Sequence, residues 1–370
     1  MSLKSIVYSS QLGLRQRIAA FRCSMAEGNP VSRPEVRRVL FVLSGLIGDS
    51  IMSQPTIAAS REIWPDARIT VLGKDHNRDL LQGDPNIDHF YVCNADPFSL
   101  RNSAEISDLK KWLIDGDFDA SIILLGDQFA HLLARAGIPI RIGVKGTILE
   151  TCLTDTYDIG SPRQWGANER LNGLRSLGFD VPFRFPRLYV DKNTKESALQ
   201  KLFAIGLRRN EEYFVLHPFG STLRQWFTNK KAGQLVSKIN GLLGTRTILI
   251  GGPETAAIPF GADCFDTRGK LTIPELLAII ESAKSIITTD SGPFHIAGAL
   301  DRPVVGLFRS RRPEHADAYP TSRVIFGFDT KCQDVCSWDA CSQTECAQMV
   351  QIDIDQIWKA LLCESWNSPM

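Results

Sequence analysis

The chain has 370 residues, 22% of them charged, with a formal net charge of +1 and 44% hydrophobic residues. That length favours two domains over one. A near-neutral balance argues against a nucleic-acid-binding surface, and no apolar run is long enough to span a bilayer.

Residues 1–35 read as an N-terminal extension. Residues 6–25 could form an amphipathic helix with Arg15, Arg17 and Arg22 on its polar side, set off by Gly28, Pro30 and Pro34. It reads either as a docking helix for a membrane surface or neighbouring subunit, or as a terminal extension without fixed structure. The stretch lacks the long apolar core of a secretory signal, so the chain is expected to stay in the cytoplasm.

The body opens with a buried strand over 38–43, a glycine-bearing loop Ser44-Gly45-Leu46-Ile47-Gly48-Asp49, and a helix from Ser50 to about Glu62. The G-x-G-x-x-G dinucleotide spacing is absent. Asp49 stands at the strand's carboxyl end, where it could take a proton from a substrate hydroxyl. It could equally be the N-cap of the helix. Strands are then expected over 68–72, 89–93, 118–125 and 140–143, and helices from 77 and over 107–114, 128–136 and 168–177. The alternation predicts a parallel sheet covered on both faces. Residues 183–189, with Pro186, read as a linker, and the domain boundary is placed near Asp191.

The pattern restarts with a helix over 194–205 and a strand over 213–217. The loop Pro218-Phe219-Gly220-Ser221-Thr222 follows, with Arg224, Gln225 and Trp226 beyond it. Arg224 could pair with phosphate oxygens or be a surface arginine beside a half-buried Trp. A helix over 229–242 and a strand over 247–250 lead to Gly251-Gly252-Pro253-Glu254. The two glycines would let a flat ring or ribose lie against the backbone. Glu254 could hold ribose hydroxyls or simply favour a helix dipole.

A helix over 273–283 then leads to the most informative stretch, KSIITTDSGPFHIAGALDRPVVGLF, residues 284–308. It reads as strand 285–289, a turn at Asp290-Ser291-Gly292-Pro293, a short helix to Leu300, and strand 304–308. The turn combines the carboxyl end of a parallel strand with a helix N-terminus, a natural place for a diphosphate. Ser291 adds a hydroxyl and His295 a ring nitrogen one turn in. Alternatively, Asp290 caps the helix and His295 packs against a loop.

Nine cysteines are present. Cys23, Cys93, Cys152, Cys264 and Cys363 are scattered and read as small core or surface residues. Cys332, Cys336, Cys341 and Cys346 fall in a C-x3-C-x4-C-x4-C pattern, which fits a tetrahedral metal site only in part. They could instead be free thiols or form disulfides. A final helix is expected over 352–363.

Taken in order, SGLIGDSIMSQP, HPFGSTLRQW, ILIGGPE and TTDSGPFHIAGALDRPVVGLF resemble the motifs of glycosyltransferase family 9, the lipopolysaccharide heptosyltransferases, over residues 38–360. The resemblance implies the GT-B fold, two Rossmann-like doubly wound domains facing a cleft. Residues 36–190 would receive the acceptor, residues 191–350 would hold the nucleotide sugar, and 351–370 would add a C-terminal helix. It implies an inverting transfer of heptose from ADP-heptose to lipopolysaccharide core or a related acceptor, with no cofactor required. By the same resemblance Asp49 is the base. Ser221, Thr222, Arg224, Glu254, Asp290, Ser291, Gly292 and His295 bind the donor.

This sequence departs from the family at Arg224, usually a lysine, and at Ser291, usually a threonine. A relative that glycosylates autotransporter proteins holds iron with four cysteines, so structural iron or zinc at 332–346 is a candidate. The cysteine cluster and the extra N-terminal helix motivate protein O-heptosylation, on autotransporter-type proteins, as an alternative function. The same shape would also suit a GT-B-like binding protein without activity, or a nucleotide-sugar epimerase. Expected partners are a nucleotide sugar and a glycolipid or protein acceptor, with peripheral contact at the inner face of the inner membrane and no nucleic acid.

Overall fold

The alternating strands and helices resolve into two six-stranded parallel sheets. The computed structural model describes residues 35–99, 102–159, 165–220, 226–309, 319–327 and 346–362, together with Gln16. The extension over 1–34 is therefore, Gln16 apart, outside the described residues. The chain divides into two compact units between Pro186 and Arg187, within the irregular stretch that joins them.

In the first unit the strands are β1 (Arg38–Leu43), β2 (Arg68–Gly73), β3 (His89–Val92), β4 (Ala120–Leu125), β5 (Ile140–Val144) and β6 (Asp155–Tyr157). Their order is β3-β2-β1-β4-β5-β6. The chain builds outward from β1 on one side, then returns to build outward on the other. The connection order therefore reverses between β1 and β4, which pair in parallel. Val39 to Leu43 are fully buried, as a central strand covered on both faces requires, and so β1 reads as an unbroken apolar run.

The second unit repeats the plan with β7 (Tyr213–His217), β8 (Arg246–Leu249), β9 (Phe265–Asp266), β10 (Ser285–Thr289), β11 (Val304–Arg309) and β12 (Ser322–Gly327). The order is β12-β11-β10-β7-β8-β9, so here the reversal lies between β7 and β10. Each sheet has its own core. Leu40, Val42, Leu72, Ile123 and Leu133 belong to the first. Phe214, Leu216, Phe227, Val236 and Ile287 belong to the second.

The edge strands are where expectation and structure differ most. β6 has 3 residues and β9 has 2. Neither carries an apolar run, and only pairing with β5 and β8 defines them. β12 pairs along all of β11 and alternates half-buried with buried residues, the period of an edge strand with one exposed face.

Helix ends also move. The helix that follows β1, labelled α1, spans Ile47–Ile63 rather than starting at Ser50. A 3-10 turn over Asp127–Phe129 precedes the helix expected from 128, which spans Ala130–Arg135. The helix expected from Thr194 spans Lys192–Ala204, because the Asp191 carboxylate accepts the Thr194 backbone N–H. The final helix expected over 352–363 spans Ile354–Leu362, and a short helix, Ala347–Gln351, precedes it. The Lys231 ammonium donates to the Ile352 carbonyl at 2.6 Å and also to that of Val350. It thereby satisfies carbonyls freed at the end of the short helix.

Cys152, expected as a small core or surface residue, is fully buried and disulfide-bonded. Among the described residues no helix is long and apolar enough to cross a membrane.

Candidate active site

Open parallel sheets bind ligands outside the carboxyl ends of their strands, where the connection order reverses. Each unit has one such point, and the expected site residues in the described part of the chain gather around both.

In the first unit, the Ser44 N–H donates to the Leu125 carbonyl at 3.0 Å and ties the ends of β1 and β4 together. The Gly45 carbonyl accepts from Asn77 Nδ2 at 3.1 Å and lies 2.7 Å from His76 Nε2. Asn77 is fully buried and also donates to Ser50 Oγ at 2.7 Å. The loop that enters α1 is thus pinned from the neighbouring strand's helix, Asp75–Leu81.

Asp49 lies in the first turn of α1 and is not its cap. The N-cap is Leu46, in extended conformation and without a side-chain cap bond. The helix starts early because the Leu46 carbonyl accepts both the backbone N–H and the hydroxyl of Ser50. The Asp49 carboxylate is therefore free for other work. Its Oδ1 accepts from Arg170 Nη2 at 3.1 Å. Arg170 belongs to the helix Gly166–Arg175 and was not anticipated. Burial pulls the Arg170 guanidinium below its ordinary value, and the Asp49 carboxylate opposes that shift. Nothing in the local sequence signals a partner 121 residues away.

In the second unit three loops leave adjacent strands β10, β7 and β8. The turn after β10 opens the helix Gly292–Ala299, with Pro293 in its first turn. Its N-cap is Ser291, not Asp290, which is exposed. The Ser291 hydroxyl makes no cap bond and turns sideways instead. It lies 3.2 Å from His217 Nδ1 and 3.0 Å from Thr288 Oγ1. His217 ends β7, so this network bridges the two strands at which the order reverses. Burial pushes the His217 imidazole down to about 4, so it is neutral at neutral pH.

One turn into the helix, His295 Nδ1 lies 3.3 Å from the Tyr319 hydroxyl. Burial raises the Tyr319 hydroxyl above its usual value, so it stays protonated. The helix lies close to Tyr319, since a Cβ at Gly298 would come within 2.2 Å of that ring. The alternative in which His295 packs against a neighbouring element is thus realised in part.

After β7, Phe219 stacks edge-on with Trp226 at 4.9 Å, and Trp226 Nε1 donates to the Gly220 carbonyl at 3.1 Å. The loop is closed on both flanks, while Ser221, Thr222 and Arg224 lie outside the described residues. After β8, Glu254 is exposed in the short helix Pro253–Ala256. Its carboxylate folds back over Gly252, where a Cβ would stand 2.2 Å from Oε1. Arg268 staples this turn: it pairs with Asp266 at 2.8 Å and donates to the Thr255 and Ile258 carbonyls at 2.6 and 2.8 Å. His217, Thr288, Tyr319 and Arg268 were not anticipated as part of the site. The one available signal was that His217 ends an apolar strand next to the glycine loop.

The cysteine cluster has a limited counterpart. Cys332, Cys336 and Cys341 lie outside the described residues. Cys346 is a free, half-buried thiol at the N-cap of Ala347–Gln351, packed against the second core. No group of three or more metal-ligating side chains occurs among the described residues.

The chain is similar to known proteins over most of its length. Lipopolysaccharide heptosyltransferase 3 of Escherichia coli K12 is 24% identical over 278 residues, covering 70% of this chain and 79% of that protein. The crystal structure of a family 9 glycosyl transferase from Veillonella parvula superposes with a TM-score of 0.75 at 20% identity, over 90% of this chain and 99% of that one. The Escherichia coli ADP-heptose lipopolysaccharide heptosyltransferase II superposes with a TM-score of 0.71 at 19% identity, over 88% and 97%. The two Rossmann-like α/β domains are those of the GT-B class expected from the motifs. Residues 106–343 match the family model of glycosyltransferase family 9 (heptosyltransferase), and the chain belongs to that family.

Proposed function

We propose that this protein transfers heptose from ADP-heptose to a lipopolysaccharide-core acceptor with inversion at the anomeric carbon. Asp49 is the base in this reading. It takes the proton of the acceptor hydroxyl as that oxygen bonds to the anomeric carbon and the bond to the diphosphate oxygen breaks, releasing ADP. The leaving diphosphate needs fixed donors rather than mobile water. Ser291, the backbone N–H groups at Gly292, His295 and the neutral His217 supply them, with Ser221, Thr222 and Arg224 of the preceding loop. Asp290 flanks the diphosphate turn. Glu254 accepts the ribose hydroxyls.

The observation that carries the reading is the bridge of His217, Ser291 and Thr288 across the order reversal of the second sheet. Of these, His217 and Ser291 are half-buried, which leaves polar groups at that point within reach of a polar ligand. The donor and acceptor in this reading are those for which the similar Escherichia coli proteins, lipopolysaccharide heptosyltransferase 3 and ADP-heptose lipopolysaccharide heptosyltransferase II, are named. A glycolipid acceptor would place the protein in the cytoplasm at the inner face of the inner membrane. The test is incubation of purified protein with a panel of nucleotide sugars and heptose-deficient lipopolysaccharide. ADP release and glycolipid extension with ADP-heptose alone are expected. Equal use of UDP-sugars, or no ADP affinity by calorimetry, overturns the reading.

A further inference from the structure

We infer that Arg170 is the residue that positions Asp49 for proton transfer, fixing one carboxylate oxygen so that the other meets the acceptor hydroxyl. This rests on the reading of Asp49 as the base.

The pair is asymmetric. The Arg170 side chain is 12% exposed and that of Asp49 is 48% exposed. The cation is the anchored end and the carboxylate the working end. Oδ1 is taken by Arg170 at 3.1 Å, and Oδ2 accepts no hydrogen bond among the described residues. An unanchored carboxylate on a helix surface samples several rotamers and two flipped orientations. A single fixed contact to one oxygen removes most of them, and a base misplaced by about 1 Å can cost on the order of 10²-fold in rate.

Asp49 is the one ion-pair partner of Arg170 among the described residues. Its contact with Asp49 is the one hydrogen bond it makes among the described residues, and its Nε is buried without a partner. Arg302 likewise has a buried Nε without a partner and donates to one carbonyl, that of Ala283, whereas Arg268 and Arg141 are more fully bonded. Arg268 makes bonds to a carboxylate and two carbonyls, and Arg141 donates to the Cys152 and Ile138 carbonyls. Leaving one guanidinium nitrogen unsatisfied costs free energy, and it is kept in exchange for the position of the terminal nitrogens.

The helix is also built around this side chain. Gly166 precedes Arg170 by one turn, and a Cβ there would come within 2.7 Å of Nη1 and 3.6 Å of Met52 Cγ. Met52 lies on α1, one turn after Asp49. The missing side chain at Gly166 is the slot through which the guanidinium reaches the carboxylate.

The test uses the full-length protein, with ADP-heptose and heptose-deficient lipopolysaccharide as substrates. Arg170→Met keeps the length of the side chain without the charge. It is expected to lower kcat by about 10- to 100-fold, with ADP affinity and the KM for ADP-heptose little changed. Arg170→Lys restores part of that loss, and added guanidinium partly rescues Arg170→Ala. Gly166→Ala, which keeps the charge but displaces the guanidinium, lowers kcat in the same way with the melting temperature nearly retained. In the Asp49→Asn background Arg170→Met has no further effect.

Wild-type kcat in Arg170→Met and Gly166→Ala, beside an inactive Asp49→Asn, overturns the positioning role and leaves the base in place. So does a multiplicative loss in the double variant. Wild-type turnover by Asp49→Asn, or none by the unmodified protein, removes the base reading and the proposal with it.

Discussion

The imidazole of His217 lies 3.2 Å from the Ser291 hydroxyl, joining the end of β7 to the cap of the helix that follows β10. The two residues are 74 positions apart in sequence, and their contact is not signalled by the neighbours of either. Their contact marks the reversal of strand order in the second sheet, the place where a parallel sheet opens to a ligand.

If that contact presents donors to a diphosphate, His217→Ala weakens ADP binding by about 10-fold, the worth of one hydrogen bond to a charged group. His217→Asn keeps a nitrogen near the position of Nδ1 and recovers part of the loss. Isothermal calorimetry with ADP reads both. Unchanged affinity in His217→Ala removes the imidazole from the site.

Asp49→Asn lowers turnover by about 10²- to 10⁴-fold, the usual cost of losing a general base, while ADP affinity is retained. The same change leaves the largely buried Arg170 without its ion-pair partner. The pair is half-exposed at its acidic end, so the stability loss is about 1 kcal/mol rather than that of a fully buried pair. Thermal melting should show Asp49→Asn below wild type, with Asp49→Asn combined with Arg170→Met partly restored.

Glu254 separates ribose recognition from phosphate recognition. Glu254→Ala is expected to weaken ADP by about 10-fold, and to weaken the 2′,3′-dideoxy analogue scarcely at all. Competition binding with the two ligands decides it. Equal losses on both would mean that the carboxylate, folded over Gly252, serves the turn rather than the ribose.

The fold itself should respond to acid through His131. This ring stacks on Phe98 at 4.7 Å, and burial pushes it down to about 4. A histidine depressed in the folded state takes up its proton more readily when unfolded. Stability therefore falls as the pH drops from about 6.5 toward 4. Between pH 7 and pH 5 this one group removes about 2 kcal/mol. His131→Phe keeps the stack, so its melting temperature should fall less steeply over that interval. An equal slope would assign the acid sensitivity to other groups.

Much of the fold was legible because the central strands of parallel sheets are buried on both faces. The segments RVLFVL, YFVLH and SIITT are apolar or β-branched nearly throughout, and burial on two sides leaves little other choice. Edge strands escape this logic. Asp155–Tyr157 and Phe265–Asp266 are strands only because a neighbour offers hydrogen bonds. Asp290 shows a second limit. An aspartate before Ser-Gly-Pro reads as a cap, yet Ser291 occupies that position, because backbone conformation at the turn, not side-chain preference alone, selects the capping residue.

The amino-acid sequence by itself determined two domains of alternating strands and helices, glycine loops at the strand ends, and a carboxylate and a D-S-G-P turn as candidate groups. These follow from periodicity, backbone freedom and charge, which are local properties. Only the tertiary structure decided which groups meet across distant segments: Arg170 with Asp49, His217 with Ser291, and Tyr319 with His295. Such contacts depend on strand order and helix packing, and neither leaves a trace in the residues adjacent to either partner.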